Sequence, residues 1–134
     1  MSRAGMTTAA ARASRLLGPL EARIMQSAWS GAMSDRFTVR DMQQKMPELA
    51  YTTVMTTLSR LAAKELLEVV EGEASRAYVY RIRMTPEKFL AASSRNEVER
   101  FVDRFGDAAL AAFAARLDKL SPARRERLRK LGGR

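Results

Sequence analysis

The apolar spacing of this chain changes period once, and that change constrains the fold more than any other feature. Over residues 19–64 apolar side chains recur at helical intervals; over 67–82 they follow the two-residue period of a strand. Pro19-Leu20-Glu21 opens the first helical pattern, with Leu20, Ile24 and Ala28 four apart and Met25 and Trp29 alongside, and the pattern stops near Gly31. Thr38-Val39-Arg40-Asp41 has the form of a capping box, a hydroxyl at the cap and a carboxylate three residues on. Val39, Met42 and Met46 follow it at helical spacing until Pro47 ends the second helix. A third helix is predicted over 50–64, with Val54, Leu58 and Leu61 on one face. Runs at 67–71 and 77–82 are rich in Val and Tyr and are joined by Gly72-Glu73-Ala74-Ser75, which predicts a hairpin. Three helices and a hairpin in this order, with a short strand at Phe37-Thr38 completing the sheet, give a mainly α fold of the winged helix-turn-helix kind over 19–84.

Beyond this module, residues 85–134 read as three amphipathic helices with no sheet to cover. Thr85-Pro86 starts the first, in which Val98, Phe101, Val102 and Phe105 keep the i, i+3, i+4, i+7 rule until Gly106. Leu110, Phe113, Ala114, Leu117 and Leu120 repeat it, and Ser121-Pro122 opens a last helix carrying Leu128 and Leu131. A tail this short cannot bury all these faces by itself, which predicts pairing with a second copy through Val98, Phe101, Val102, Phe105, Leu110, Phe113 and Leu117. At the other end, residues 1–18 are mostly Ala, Ser, Thr, Gly and Arg and read as a flexible basic arm. A disordered start, translation from Met6 and an arm that touches DNA are the alternatives there.

Composition excludes whole classes of chemistry. The chain has no Cys and no His, so thiolate metal sites, cysteine nucleophiles and the usual general base are absent. No cofactor is called for, and no apolar run approaches membrane-spanning length, which suits a cytoplasmic protein. The net charge of +9 invites a polyanion, but its distribution is uneven. Residues 19–84 carry 9 basic and 8 acidic side chains, whereas 124–134 hold six basic residues against Glu126 alone.

The third predicted helix carries the chemistry. Thr is a poor helix former because branching at Cβ restricts χ1, yet Thr52, Thr53, Thr56 and Thr57 all fall here. With Val54, Leu58 and Leu61 inward, Thr52, Met55, Thr56, Ser59 and Arg60 point outward, and Thr53 and Thr57 lie nearer the flanks. Small hydroxyls let a helix approach base edges, and the Thr methyl can meet a thymine methyl. Thr52, Thr53 and Thr56 are therefore assigned to bases with Met55 as an apolar contact, and Tyr51 and Arg60 to phosphate. The plain alternative is a solvated polar face.

Three stretches together carry a family resemblance: Leu17-Gly18-Pro19-Leu20-Glu21 with Ile24, Met25 and Trp29; Thr38-Val39-Arg40-Asp41; and Tyr51-Thr52-Thr53-Val54-Met55-Thr56-Thr57-Leu58. The chain resembles the penicillinase-repressor family of bacterial transcriptional regulators over about 17–131. The resemblance implies a winged helix with a homodimerising helical tail, a palindromic operator of double-stranded DNA, the third helix in the major groove and the wing on the flanking backbone, where Arg76 can reach phosphate. In some members an upstream membrane sensor-protease system leads to cutting of the dimerisation region. Three features depart from the pattern. Glu65 stands where members commonly place Gly, and a left-handed Glu65 costs on the order of 1 kcal/mol. The wing 72–76 is longer than usual and carries Glu73, which phosphate repels. Ala112 precedes Phe113 where the β-lactam-responsive members are cut at an Asn-Phe pair, and the absence of Cys excludes the copper-binding branch.

The reading that follows is a homodimeric repressor without enzymatic activity. Its rivals are a winged-helix protein-interaction module that does not bind DNA, favoured by the near-neutral 19–84 stretch, and a carboxylate-based enzyme, for which no converging pair of acids is evident.

Overall fold

The computed structural model describes residues 7–71 and 78–132. It divides into two compact units, 1–92 and 93–134.

In the first unit the helical elements begin where their caps place them. Helix α2 (Pro19–Trp29) has Pro at its first position, and the Glu21 carboxylate accepts the Gly18 N–H at 3.4 Å. Strand β1 (Phe37–Thr38) leads directly into α3 (Val39–Lys45). The predicted capping box is formed: Asp41 N–H donates to Thr38 Oγ1 at 3.1 Å and Thr38 N–H to Asp41 Oδ2 at 3.0 Å. Helix α4 (Tyr51–Ala63) is the third helix of the predicted module. It ends in a Schellman motif, with Leu66 N–H donating to the Leu61 carbonyl and Glu65 N–H to that of Ala62, both at 3.0 Å. Glu65 takes the left-handed position that motif requires, at φ +68°.

Strands β2 (Leu67–Glu71) and β3 (Val79–Ile82) form the hairpin. The sheet is antiparallel in the order β1-β3-β2, with Phe37 opposite Tyr80 and Leu67 opposite Ile82. Between Val69 and Glu71 the register shifts, the mark of a bulge in β2. Helices and sheet close on one core of Ile24, Met25, Phe37, Val39, Met42, Val54, Leu58, Leu61, Leu66 and Tyr80, among others. Burying each such side chain contributes about 1.5–3 kcal/mol. Trp29 is tied to the far end of the module by its Nε1–H, which donates to the Met84 carbonyl at 3.0 Å.

Two boundaries differ from the sequence reading. Residues 1–18 are predicted as a flexible arm, but Thr8–Ser14 is a helix, α1, capped by Thr7 Oγ1, which accepts Ala10 N–H at 3.0 Å. Ala10, Ala13 and Ser14 are buried and α1 packs on α2; alanine favours the helix and its small side chain lets two helices meet closely. Ser14 satisfies its hydroxyl by donating to the Ala10 carbonyl at 2.8 Å. At the other end, the units part between Ala92 and Ser93, inside α5 (Pro86–Phe105), rather than at Thr85. The first turns of α5 belong to the module because Phe89 packs against its core and lies 6.4 Å from the Trp29 ring.

The second unit comprises the rest of α5, α6 (Asp107–Asp118) and α7 (Pro122–Gly132), with Gly106 at φ +59° breaking α5 from α6. Phe101 meets Phe105 and Phe113 at 5.2 and 5.3 Å between ring centroids. Among the described residues of this unit only Ala109 is buried, while Val98, Phe101, Phe105, Leu110, Phe113, Leu117, Leu128 and Leu131 are exposed and Val102 is half-buried.

Candidate nucleic-acid interface

Helix α4 has two chemically opposed faces. Val54, Leu58 and Leu61 are 0% exposed in the core, whereas Tyr51, Thr52, Met55, Thr56, Ser59 and Arg60 are open to solvent. The inward set is what fixes the helix; the outward set is therefore free to be chosen for contact rather than packing. Thr53 is half-buried and shares a shallow groove with Leu20, Thr52, Thr56, Thr57 and Arg60. Thr57, expected on a flank, is buried instead. Its hydroxyl donates to the Thr53 carbonyl at 2.8 Å, which satisfies the polar group within the helix and lets a Thr occupy a core position.

The turn that aims α4 is braced from both sides. Gln43 Nε2 donates to the Leu49 carbonyl at 3.1 Å, closing the α3–α4 connection. Arg23 on α2 pairs with Glu48 in that turn at 2.5 Å. The Glu48 carboxyl is held below the ordinary carboxylate value, first by its own backbone N–H and then by Arg23. At the other end of α4, Lys64 Nζ donates to both carboxylate oxygens of Glu21, at 2.8 and 3.0 Å. Glu21 is buried, so one side chain both caps α2 and anchors the end of α4.

Charge pairing explains how a nearly neutral module can present a basic face. Among the described residues, Arg23, Lys64, Arg81 and Arg83 are taken up by Glu48, Glu21, Glu68 and Glu65. Among the described residues neither Arg60 nor Arg40 has a carboxylate partner. The Arg40 guanidinium instead lies over the Tyr51 ring, 5.8 Å from its centroid. Arg40 is absent from the sequence-predicted set. In the sequence it is only the residue between the members of a capping box, and its meeting with Tyr51 arises from the α3–α4 turn. The structure thus brings Tyr51, Thr52, Thr53, Met55, Thr56 and Arg60 onto one surface and adds Arg40. Arg76 lies outside the described residues.

Three helices with an antiparallel β1-β3-β2 sheet, the second helix-turn leading into an outward-facing helix and a hairpin following it, define a winged helix-turn-helix protein. The profile of the penicillinase repressor family matches residues 17–132. The chain belongs to that family. It is also similar to transcriptional regulators named BlaI from two strains of Mycobacterium tuberculosis, CDC 1551/Oshkosh and ATCC 25618/H37Rv. Each is 38% identical over a 65-residue alignment that covers 46% of this chain and 46% of the relative, so the match spans a little under half of either protein. No described helix is long and apolar enough to cross a membrane.

Proposed function

We propose that this chain is a homodimeric, non-enzymatic transcriptional repressor that acts in the cytoplasm by occupying a palindromic site in duplex DNA. The observation that carries the reading is the division of α4 into a fully buried apolar face and an exposed face of Thr52, Met55, Thr56 and Arg60. Helix α4 lies in the major groove, where Thr52, Thr53 and Thr56 exchange hydrogen bonds with base edges and Met55 packs on a thymine methyl. Tyr51, Arg40 and Arg60 hold phosphates, and Arg76 on the wing does the same alongside. Dimerisation runs through Val98, Phe101, Val102, Phe105, Leu110, Phe113 and Leu117, whose exposure supports a partner of the same kind. Two copies then present two α4 helices to two half-sites, and the bound dimer blocks transcription from the DNA it covers.

The near-neutral charge that favours an interaction module without DNA binding loses its force once pairing is counted, because the cations left without carboxylates include those beside the Thr face. Footprinting on the region upstream of the coding sequence tests the reading. The expected result is a pair of protections about one helical turn, roughly 10 bp, or a multiple of it apart. Arg60→Ala should weaken binding to all duplexes alike. A uniform absence of protection at low salt would overturn the proposal.

A further inference from the structure

Helix α1 lies ahead of the residues the family profile matches, which begin at position 17. It is nonetheless built into the first unit: Ala10 and Ala13 are buried, and Thr7 and Ser14 close its hydrogen bonds. The face turned away from α2 holds Thr8, Arg12 and Arg15, spaced i, i+4, i+7 and all exposed. Neither arginine has a carboxylate partner among the described residues, and residues 1–20 contain no Asp or Glu. Two exposed guanidinium groups on one face, with no acid in residues 1–20, favour an anion.

The position of α1 points to which anion. Its chain runs into Gly18, and Gly18, Pro19, Leu20 and Glu21 line a groove together with Thr57, Arg60 and Lys64 of α4. The α1–α2 corner therefore borders the side of α4 that presents Arg60. Only Leu16 and Leu17 separate Arg15 from Gly18, a Cα span of about 11 Å at most. We propose that α1 is an accessory clamp on the DNA backbone, with Arg12 and Arg15 gripping phosphates outside the base pairs that α4 reads. The inference rests on the DNA-binding reading and adds to it a contact surface that widens the footprint and increases affinity without adding sequence information.

The test uses the full chain and a mixed-sequence 40-bp duplex, so it needs no known operator. Binding is titrated by fluorescence anisotropy between 50 and 200 mM salt. Each phosphate contact adds about 0.9 to the slope of log K against log salt. Arg12→Gln/Arg15→Gln should therefore flatten the slope by about 1.8 per protomer, about 3.6 for the bound dimer, so that wild type loses roughly 150-fold more affinity than the variant over this range. Arg12→Lys/Arg15→Lys should keep the wild-type slope. Arg116→Gln/Lys119→Gln, which removes the same charge from the second unit, should keep it too. Trp29 fluorescence melts check that the variants fold as wild type. An unchanged slope in Arg12→Gln/Arg15→Gln, or equal flattening in the Arg116/Lys119 control, overturns the clamp while leaving the DNA reading intact. Absence of wild-type binding at 50 mM salt overturns both.

Discussion

Replacing Glu65 by glycine should make the winged module more stable. Glu65 is a left-handed residue with a side chain, at φ +68°, held there by the two hydrogen bonds that end α4 and by the burial of Leu66 beside Leu61. That conformation costs a non-glycine residue about 1–2 kcal/mol. Glycine removes the strain but gives the unfolded chain more freedom, which offsets about 0.5–1 kcal/mol. The carboxylate is only loosely engaged, 4.0 Å from Arg83 with side chains 62% and 51% exposed, so its loss weighs little against these terms. Glu65→Gly should therefore gain about 0.5–1 kcal/mol, whereas Glu65→Ala keeps the strain and should be neutral or slightly destabilising. Trp29 is the single tryptophan and packs in the same module, so urea unfolding followed by its fluorescence reports on the unit concerned. The two midpoints should separate with unchanged m, and the thermal midpoints by about 2–8 °C. Equal stability of the Ala and Gly variants would refute the reasoning.

Lys64→Met should cost about 1–2 kcal/mol, between the values for exposed and fully buried pairs, because it strands the buried Glu21 carboxylate. Adding Glu21→Gln should recover part of that loss in a double-mutant cycle, and additive losses would contradict it. Leu58→Ala, at a fully buried position, should cost about 2–5 kcal/mol, while Thr56→Ala on the open face stays within about 0.5 kcal/mol by the same urea titration. Phe101→Glu/Phe113→Glu should convert dimer to monomer in sedimentation experiments and leave the Trp29 transition in place. Glu48, whose folded-state pKa is depressed, stabilises above its unfolded pKa and loses that contribution as pH falls through the folded value. Wild type and Glu48→Gln should accordingly converge in stability at acid pH and differ slightly at neutral pH.

What was legible in the sequence was local. The capping box at Thr38 and Asp41, the strand period at Tyr80 and Ile82, and the apolar face of Val54, Leu58 and Leu61 are all written in spacings of two to four residues, and the structure has each. The left-handed Glu65, at φ +68°, came instead from the resemblance, since it stands where family members commonly place Gly. What escaped depends on partners distant in the chain. The Ala9-Ala10-Ala11 run is too short to announce a helix, and α1 is ordered only because α2 gives Ala10 and Ala13 a surface to bury against. Counting charges over 19–84 does not reveal that Lys64 is committed to Glu21, 43 residues away, while Arg60 one turn earlier is not. Arg40 likewise reaches Tyr51 only through the α3–α4 turn. Thr57 shows a subtler limit, since a hydroxyl bonded back to Thr53 can sit in a core that periodicity assigns to apolar residues.

The most direct test of the central claim is the ratio of affinities for the footprinted site and a scrambled duplex of equal length, measured by competition for wild type and Thr52→Ala/Thr56→Ala. If the Thr face reads bases, each contact is worth about 1–3 kcal/mol of discrimination, so the ratio should fall by roughly 30-fold or more while affinity for the scrambled duplex holds. An undiminished ratio in the double variant would contradict base reading by α4.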